Sequence, residues 1–161
     1  MSQLELMESI EKKIRAVLKP AELSEILTNA SDGLTRQKRA ESQLAISEMS
    51  VRDAPAVSIS LSYDAARRAV VAILEAFGLR VHERAGSHSS FVKVASIDVF
   101  NQEIWCDLEW MKKLRNQSQY GDSTMPELTV DQAQESFLAA RAMVSDAKRL
   151  LNLFVNAESR T

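Results

Sequence analysis

The sequence predicts an all-α protein, an antiparallel bundle of four to five helices, and three observations favour that fold class. Only 4 Gly and 3 Pro occur among the 161 residues. An all-β domain needs a tight turn roughly every 8–12 residues, which so few turn-forming residues do not supply. Apolar residues recur at helical spacing over several long stretches, and the connections between these stretches are short.

Composition limits the classes of protein that the chain can belong to. A length of 161 residues and a mass of 18.0 kDa suit a single domain. A net charge of −2, with no clear basic surplus in any third of the chain, disfavours nonspecific binding to duplex nucleic acid but leaves a small local basic site open. Cys106 is the one cysteine, so no intrachain disulfide can form and a reducing cytoplasm is expected. No signal peptide, membrane span or membrane partner is expected, because no cationic N-terminal region precedes a long apolar run.

Two helices are predicted in the first third of the chain. The first covers residues 4–18 and ends before Pro20, because proline disfavours helical backbone at the residue that precedes it. The second covers residues 21–49, with Gly33 as a kink or break. The charged run 36–39 is interpreted as a solvated face of that helix.

The centre of the chain predicts a third helix with clear end signals. Residues 57–61 alternate between apolar and polar side chains and are interpreted as an extended lead-in. Ser62 is predicted to be the N-cap of a helix over 62–77, and Gly78 its C′ residue. A polar turn region over 80–90 follows.

The last third of the chain predicts three more helical segments. Residues 91–100 are mixed in period and are interpreted as a short helix. A clear helix is predicted over 102–120, and Gly121 ends it. Thr129 opens a last helix, over 131–156, whose apolar residues alternate at spacings of four and three. That pattern predicts a helix along a bundle seam.

Arg115 occupies a position of the predicted helix 102–120 where the apolar stripe would continue. A guanidinium keeps its charge, so this side chain either reaches a carboxylate or opens onto a cleft or interface. The alternative is a cation near the helix C-terminus that extends into solvent. Asn116 and Tyr120 share one helix face. Arg115 and Tyr120 are about 140° apart and would meet only if the helix end unwinds.

Three short pieces of the chain, in their order and spacing, resemble HEPN (higher eukaryotes and prokaryotes nucleotide-binding) domains. Residues 61–81 are similar to the Tyr-Asp-Ala-Ala-Arg helix of that family, residues 86–88 to its Gly-His turn, and residues 114–120 to its Arg-polar-x3-His signature. The matching residues are Tyr63-Asp64-Ala65-Ala66-Arg67, Gly86-Ser87-His88 and Arg115-Asn116-Gln117-Ser118-Gln119-Tyr120. The resemblance covers residues 20–156, with an N-terminal helix over 1–19 and a tail over 157–161 of one domain, 1–161.

The resemblance implies a compact helical bundle that usually dimerises. In catalytic members of the family, the Arg, the polar residue and the His of the signature form a metal-independent RNA-cleaving site across the dimer. Arginine stabilises charge on a phosphate, and histidine moves a proton near neutral pH. Arg115 and Asn116 match this signature, but Tyr120 stands at the His position. A phenol with a pKa of about 10 is a poor general base at pH 7, so weak or absent cleavage is expected.

The leading functional hypothesis is therefore a HEPN-like protein that binds RNA or a nucleotide through Arg115, Asn116, Tyr120 and His88. It would be a homodimer and a degenerate or weak ribonuclease of a toxin–antitoxin or defence system, as the resemblance implies. His88 is either a plain turn histidine or a replacement for the missing imidazole. No cofactor is expected, and two histidines with one cysteine at scattered spacing form no metal-binding pattern.

Two other functions stay open at this stage. The first is a non-enzymatic helical interaction module that docks a partner protein, such as a nucleotidyltransferase-like antitoxin. In that role Arg115, Asn116 and Tyr120 form a structural cluster, and burial of Arg115 against a carboxylate of its own chain would favour it. The second is a helical bundle that binds a small molecule.

Four further side chains receive structural interpretations. His82 is expected to be solvent-exposed, and Cys106 to be a small core or boundary residue rather than a nucleophile. Trp105 and Trp110 are expected to pack within the bundle or an interface, with base stacking as the alternative. The chain also lacks a glycine-rich phosphate loop, because its four glycines are isolated from one another.

Overall fold

The computed structural model describes residues 1–82, 87–121 and 123–161, and for Ser87 and His88 it describes the backbone alone. The described part of the chain consists of helices and a single two-stranded sheet, which confirms the predicted all-α class. In the described ranges, no helix has both the length and the apolar character that crossing a membrane requires.

The N-terminal helix agrees with its prediction. Helix α1 covers Gln3–Val17 and starts with a capping box, in which the Ser2 side chain accepts from the Glu5 N–H and the Glu5 carboxylate accepts from the Ser2 N–H. Its inner face is formed by Ile10 and Ile14, both fully buried.

The second helix begins later than predicted. Pro20–Glu22 forms a 3₁₀ turn, and strand β1 covers Leu23–Glu25. Helix α2 covers Ala30–Ser50, with Asn29 as its N-cap. The prediction of helix from residue 21 is wrong because the strand finds a distant partner, which local periodicity does not reveal.

Helix α3 covers Pro55–Ala76, so the predicted extended segment 57–61 is wrong. A proline at the first helical position starts the helix, where its fixed φ suits the first turn. Ser58 and Ser62 meet α2 instead of solvent. The Ser47 hydroxyl is 3.0 Å from that of Ser58 and 2.6 Å from that of Ser62. Ser62 is therefore a buried link between two helices and not an N-cap.

Gly78 ends α3 as predicted, with a positive φ of 66°. Strand β2 follows at once, covers Leu79–Val81 and pairs antiparallel with β1, Leu23 opposite Val81. Each strand has three residues, too few for an alternating pattern to be recognised in the sequence.

The remaining helices differ from the predictions in their boundaries. Helix α4 covers Ser87–Ala95, which begins and ends earlier than the predicted helix 91–100. The predicted helix 102–120 is divided into α5, Gln102–Trp105, and α6, Leu108–Tyr120. The division follows from packing, because α5 contacts the last helix whereas α6 contacts α3.

The last helix, α7, covers Val130–Glu158 and confirms the predicted seam. Thr129 caps it by accepting from the Gln132 N–H. All seven residues of the predicted stripe are buried: Ala133, Phe137, Ala140, Val144, Ala147, Leu151 and Phe154.

Helix α3 lies at the centre of the bundle, in contact with α2, α7 and α6. One of its faces is left partly exposed, where Asp64, Arg67, Arg68 and Val71 follow one another at helical spacing.

Gly33 lets α2 pack tightly against α3, because a Cβ there would be 2.5 Å from the Ala72 carbonyl oxygen. It is therefore a close-contact position inside α2 and not a kink or break.

Candidate functional site

Arg115 lies on the side of α6 that faces α3. Its guanidinium carbon is 5.6 Å from the centre of the Tyr63 ring, and its Nη2 is 3.9 Å from Asp64 Oδ1. The side chain is only 16% exposed. Its Nε is buried and has no hydrogen-bond partner among the described residues. Arg115 is thus held between an aromatic ring and a carboxylate, with donor capacity left over.

Tyr63 is the platform beneath the Arg115 guanidinium. Its side chain is fully buried. Burial raises the pKa of Tyr63 to about 12, although the positive charges of Arg67 and Arg115 oppose this effect. The phenol therefore stays protonated at neutral pH and does not act as a base there.

Of the other two residues of the signature, Tyr120 diverges from Arg115 within one chain and Asn116 does not. Helix α6 remains helical as far as Tyr120, and Gly121 then ends it. Because the helix does not unwind, Tyr120 keeps its direction about 140° away from Arg115. The Tyr120 side chain is 78% exposed, and Asn116 is half-buried beside Arg115.

Of the two histidines, His82 has a described side chain and His88 does not. The side chain of His88 lies outside the described residues, and its contribution to the site stays a prediction. His82 is half-buried, and its Nε2 is 3.0 Å from Ser24 Oγ on β1. The expectation that His82 is solvent-exposed is wrong because the β1–β2 pairing covers it.

A second group of cations was not identified from the sequence. A cleft of about 470 Å³ opens between α2, α3, α4 and β2, and we call it the cationic cleft. It is lined by four arginines, one histidine, one glutamate and five apolar residues: Arg36, Arg67, Arg68, Arg80, His82, Glu75, Val71, Leu74, Leu79, Val81 and Phe91. A partial signal exists in the spacing of Arg67, Arg68, Val71 and Glu75, which places them on one face of α3.

Two contacts organise the cationic cleft. Arg36 binds Glu75 through Nε at 2.8 Å and Nη2 at 2.7 Å. The Arg67 guanidinium carbon is 5.6 Å from the centre of the Phe91 ring. The interpretation of 36–39 as a solvated face is therefore wrong for Arg36, and also for Gln37, which is 1% exposed and donates to the Val144 carbonyl.

Burial and neighbouring positive charges act together on Arg68 in the cleft. Burial lowers the pKa of Arg68, and the charges of Arg67, Arg36 and Arg39 lower it further, against the opposing effect of Asp64. Arginine stays protonated despite such a shift, so Arg68 keeps its positive charge in the cleft. The Nε atoms of Arg67 and Arg68 are buried without a hydrogen-bond partner among the described residues.

Cys106 and the tryptophans carry no comparable chemistry. Cys106 is exposed, so its predicted core or boundary position is wrong. Residual desolvation and the charge of Asp107 raise the pKa of the Cys106 thiol, which makes it a weak nucleophile. Trp105 is buried as expected, and its indole donates to Asp146 Oδ2 at 2.8 Å.

Comparisons with known proteins point to one family. The family model of the HEPN domain matches residues 35–155, which is well over half of the chain. This range contains the α3 and α6 segments that carry Tyr63, Asp64 and Arg115, and it suggests a function related to nucleotides or RNA. Searches of curated proteins and of solved structures found no match. The chain belongs to the HEPN domain family.

Proposed function

We propose that this HEPN-domain protein binds a phosphate group of RNA or of a nucleotide through Arg115, and that it cleaves RNA weakly or not at all. The observation that carries the proposal is the environment of Arg115. Its guanidinium is largely buried over the Tyr63 ring, its nearest carboxylate is 3.9 Å away, and its Nε has no hydrogen-bond partner among the described residues.

The loose pair with Asp64 leaves Arg115 able to bind an incoming anion. At 3.9 Å the two charges attract, but they are too far apart for a hydrogen bond. A phosphate offers an arginine two oxygens in the geometry that its planar fork prefers, and charge-assisted bonds of this kind are strong. This contact between guanidinium and phosphate does not depend on which residue occupies position 120.

Asn116 and Tyr120 are proposed to contribute further donors. The Asn116 amide can donate to the same phosphate, and the exposed Tyr120 phenol can donate to phosphate or stack on a base. Because Tyr120 diverges from Arg115 along α6, its approach requires a second copy of the chain. We therefore include a homodimer in the proposal, and the exposed apolar side chains of Val57 and Met125 near this end of the bundle support it.

Weak or absent cleavage follows from the chemistry of the tyrosine. Transfer of a proton by a well-matched group contributes roughly 10²–10⁴-fold to a rate. A neutral phenol does not readily take a proton from a ribose 2′-hydroxyl at pH 7. The proposed context is a toxin–antitoxin or defence system, which rests on the family resemblance alone. The proposed location is the cytoplasm, and the single cysteine, Cys106, which is an exposed free thiol, supports a reducing compartment.

One observation favours a second candidate function. Arg115 is 16% exposed, and a carboxylate of its own chain, that of Asp64, lies within ion-pair distance. In this alternative the protein is a non-enzymatic interaction module, Arg115 braces α6 against α3, and the bundle docks a partner such as a nucleotidyltransferase-like antitoxin.

Binding of a fluorescently labelled single-stranded RNA, compared between the wild type and Arg115→Ala, separates these functions. We expect Arg115→Ala to weaken binding about tenfold or more, because it removes a charge-assisted contact. Arg52→Ala is the matched control, since Arg52 is an exposed arginine in the connection between α2 and α3. Equal affinities of wild type and Arg115→Ala, or no binding to RNA or nucleotides at millimolar concentration, would favour the interaction module.

A further inference from the structure

The cationic cleft contains positive charge that no described residue neutralises through an ion pair. Arg67 and Arg68 line it from α3, and Arg80 lines it from β2. No carboxylate of the described residues lies within ion-pair distance of these three guanidinium groups, whereas Arg36 is paired with Glu75. The excess is local, because the whole chain has a net charge of −2. A cleft of this kind attracts an anion.

Two arginines of the cleft, Arg67 and Arg68, each have a buried N–H donor that no acceptor among the described residues satisfies. The Nε atoms of Arg67 and Arg68 are buried without a partner among the described residues. Leaving a buried donor unpaired costs free energy, and an anion in the cleft would remove that cost. Arg67 is also held in place by its contact with the Phe91 ring, so its fork is oriented before a ligand arrives.

The size and lining of the cleft indicate a small ligand with an apolar part. Its volume of about 470 Å³ falls within the roughly 300–1,000 Å³ typical of small-molecule sites. The apolar side chains of Val71, Leu79 and Val81 line it beside the arginines. This combination suits a phosphate attached to an organic group.

We propose that the cationic cleft binds a terminal phosphate, either that of a small organic phosphate or that at the 5′ end of an RNA. Three guanidinium groups match the roughly −1.5 to −2 charge of a phosphate monoester better than the single charge of a phosphodiester. The arginines of the cleft are different residues from Arg115, and this inference does not require the site proposed around Arg115, which adjoins the cleft at Asp64.

Titration calorimetry with paired probes tests the proposal. The small probes are inorganic phosphate, a nucleoside 5′-monophosphate and the corresponding nucleoside. The RNA probes are single strands of about ten nucleotides with and without a 5′ phosphate. The cleft variants are Arg68→Gln and Arg80→Gln, and Arg80 is exposed, so its replacement does not threaten folding. Arg52→Gln is the control with the same change of charge outside the cleft.

We expect each cleft variant to weaken binding of the phosphorylated probe about 10-fold or more, while Arg52→Gln binds like the wild type. The nucleoside and the RNA with a 5′ hydroxyl should bind at least about tenfold more weakly than their phosphorylated partners. Preference for the nucleotide identifies a small molecule as the source, and preference for the 5′-phosphorylated strand identifies an RNA end. Affinity that is unchanged in both cleft variants, or that is independent of the terminal phosphate, would overturn the proposal.

Arg115→Ala distinguishes a failure of this inference from a failure of the proposed function. If Arg115→Ala abolishes binding of the phosphorylated probes and the cleft variants do not, the cleft proposal is wrong and the Arg115 proposal stands. If the cleft variants abolish binding of terminal phosphates and Arg115→Ala does not, the cleft proposal stands without the other. Absence of any binding at millimolar probe concentration overturns both.

Discussion

Arg36 on α2 and Glu75 on α3 form an ion pair in which both Nε and Nη2 of the arginine contact the same carboxylate oxygen, at 2.8 Å and 2.7 Å. The Glu75 side chain is 7% exposed and that of Arg36 is 29% exposed. The pair joins the two helices that make the most extensive contact in the bundle. It also neutralises one of the four arginines of the cationic cleft.

The pair predicts opposite effects of Glu75→Gln on stability and on anion binding. Removing the carboxylate leaves Arg36 partly buried without its partner, so we expect a loss of about 2–3 kcal/mol in the free energy of unfolding. Binding of anions in the cleft should strengthen, because its positive charge increases. Urea denaturation measures the first effect. Glu41→Gln, which breaks the more exposed pair with Lys148, serves as the control and should cost less than about 1 kcal/mol.

Gly33→Ala tests the close approach of α2 to α3. Replacing glycine by alanine inside a helix ordinarily stabilises by about 1 kcal/mol. Here the new Cβ would be 2.5 Å from the Ala72 carbonyl oxygen and 2.8 Å from a Leu151 methyl. The carbonyl belongs to the backbone of α3, which does not shift as easily as a flexible side chain. We expect net destabilisation of about 1–3 kcal/mol, seen as a lower Tm. A variant as stable as the wild type, or more stable, would contradict the tight contact.

Tyr63 predicts a pH dependence of stability in the alkaline range. Burial raises its pKa from 10.0 to about 12, so the folded state holds the phenolic proton more tightly than the unfolded state does. This contribution to stability is fully present below pH 10 and is lost as the pH rises towards 12. Unfolding followed from pH 8 to pH 12 should show a smaller decline for Tyr63→Phe, which has no such proton. Parallel declines in the two proteins would contradict it.

Tyr120→His tests the chemistry proposed for the signature. An imidazole at that position would supply a group that moves protons near neutral pH, so cleavage of RNA should increase while binding through Arg115 stays similar. Gel analysis of total RNA incubated with each protein measures the outcome. Arg115→Ala in the Tyr120→His background is the control and should abolish any gain. Robust cleavage by the wild type that Tyr120→Phe abolishes would show that the tyrosine itself acts in catalysis.

The proposed homodimer is tested by light scattering at concentrations on the order of tens of micromolar. We expect a mass near twice 18.0 kDa for the wild type. Val57→Asp, a change at a side chain that is 51% exposed, should shift the equilibrium towards monomer without unfolding the chain. Leu27→Asp, at a fully exposed residue on the segment before α2, is the matched control and should leave the mass unchanged. A monomeric wild type would overturn the dimer.

The sequence alone was sufficient for the features that depend on neighbouring residues. The helical period, the Thr129 cap and the positive φ of Gly78 arise within one or two turns of chain, so their signals are local. The seam of α7 was predicted residue by residue, because burial of one helix face requires an apolar stripe. The family also followed from short motifs in their order.

Only the tertiary structure decided what depends on residues far apart in the chain. The pairing of β1 with β2 joins segments more than fifty residues apart, and no local pattern in either strand announces the other. From the sequence, Ser58 was predicted to lie in an extended segment and Ser62 to be an N-cap. In the structure both hydroxyls contact that of Ser47 on α2. Likewise, Arg115 meets Asp64, and Arg36 meets Glu75, only because α2 and α6 pack on α3. Periodicity specifies which face of a helix is buried, but the identity of the neighbour that covers it is set by how the helices pack together.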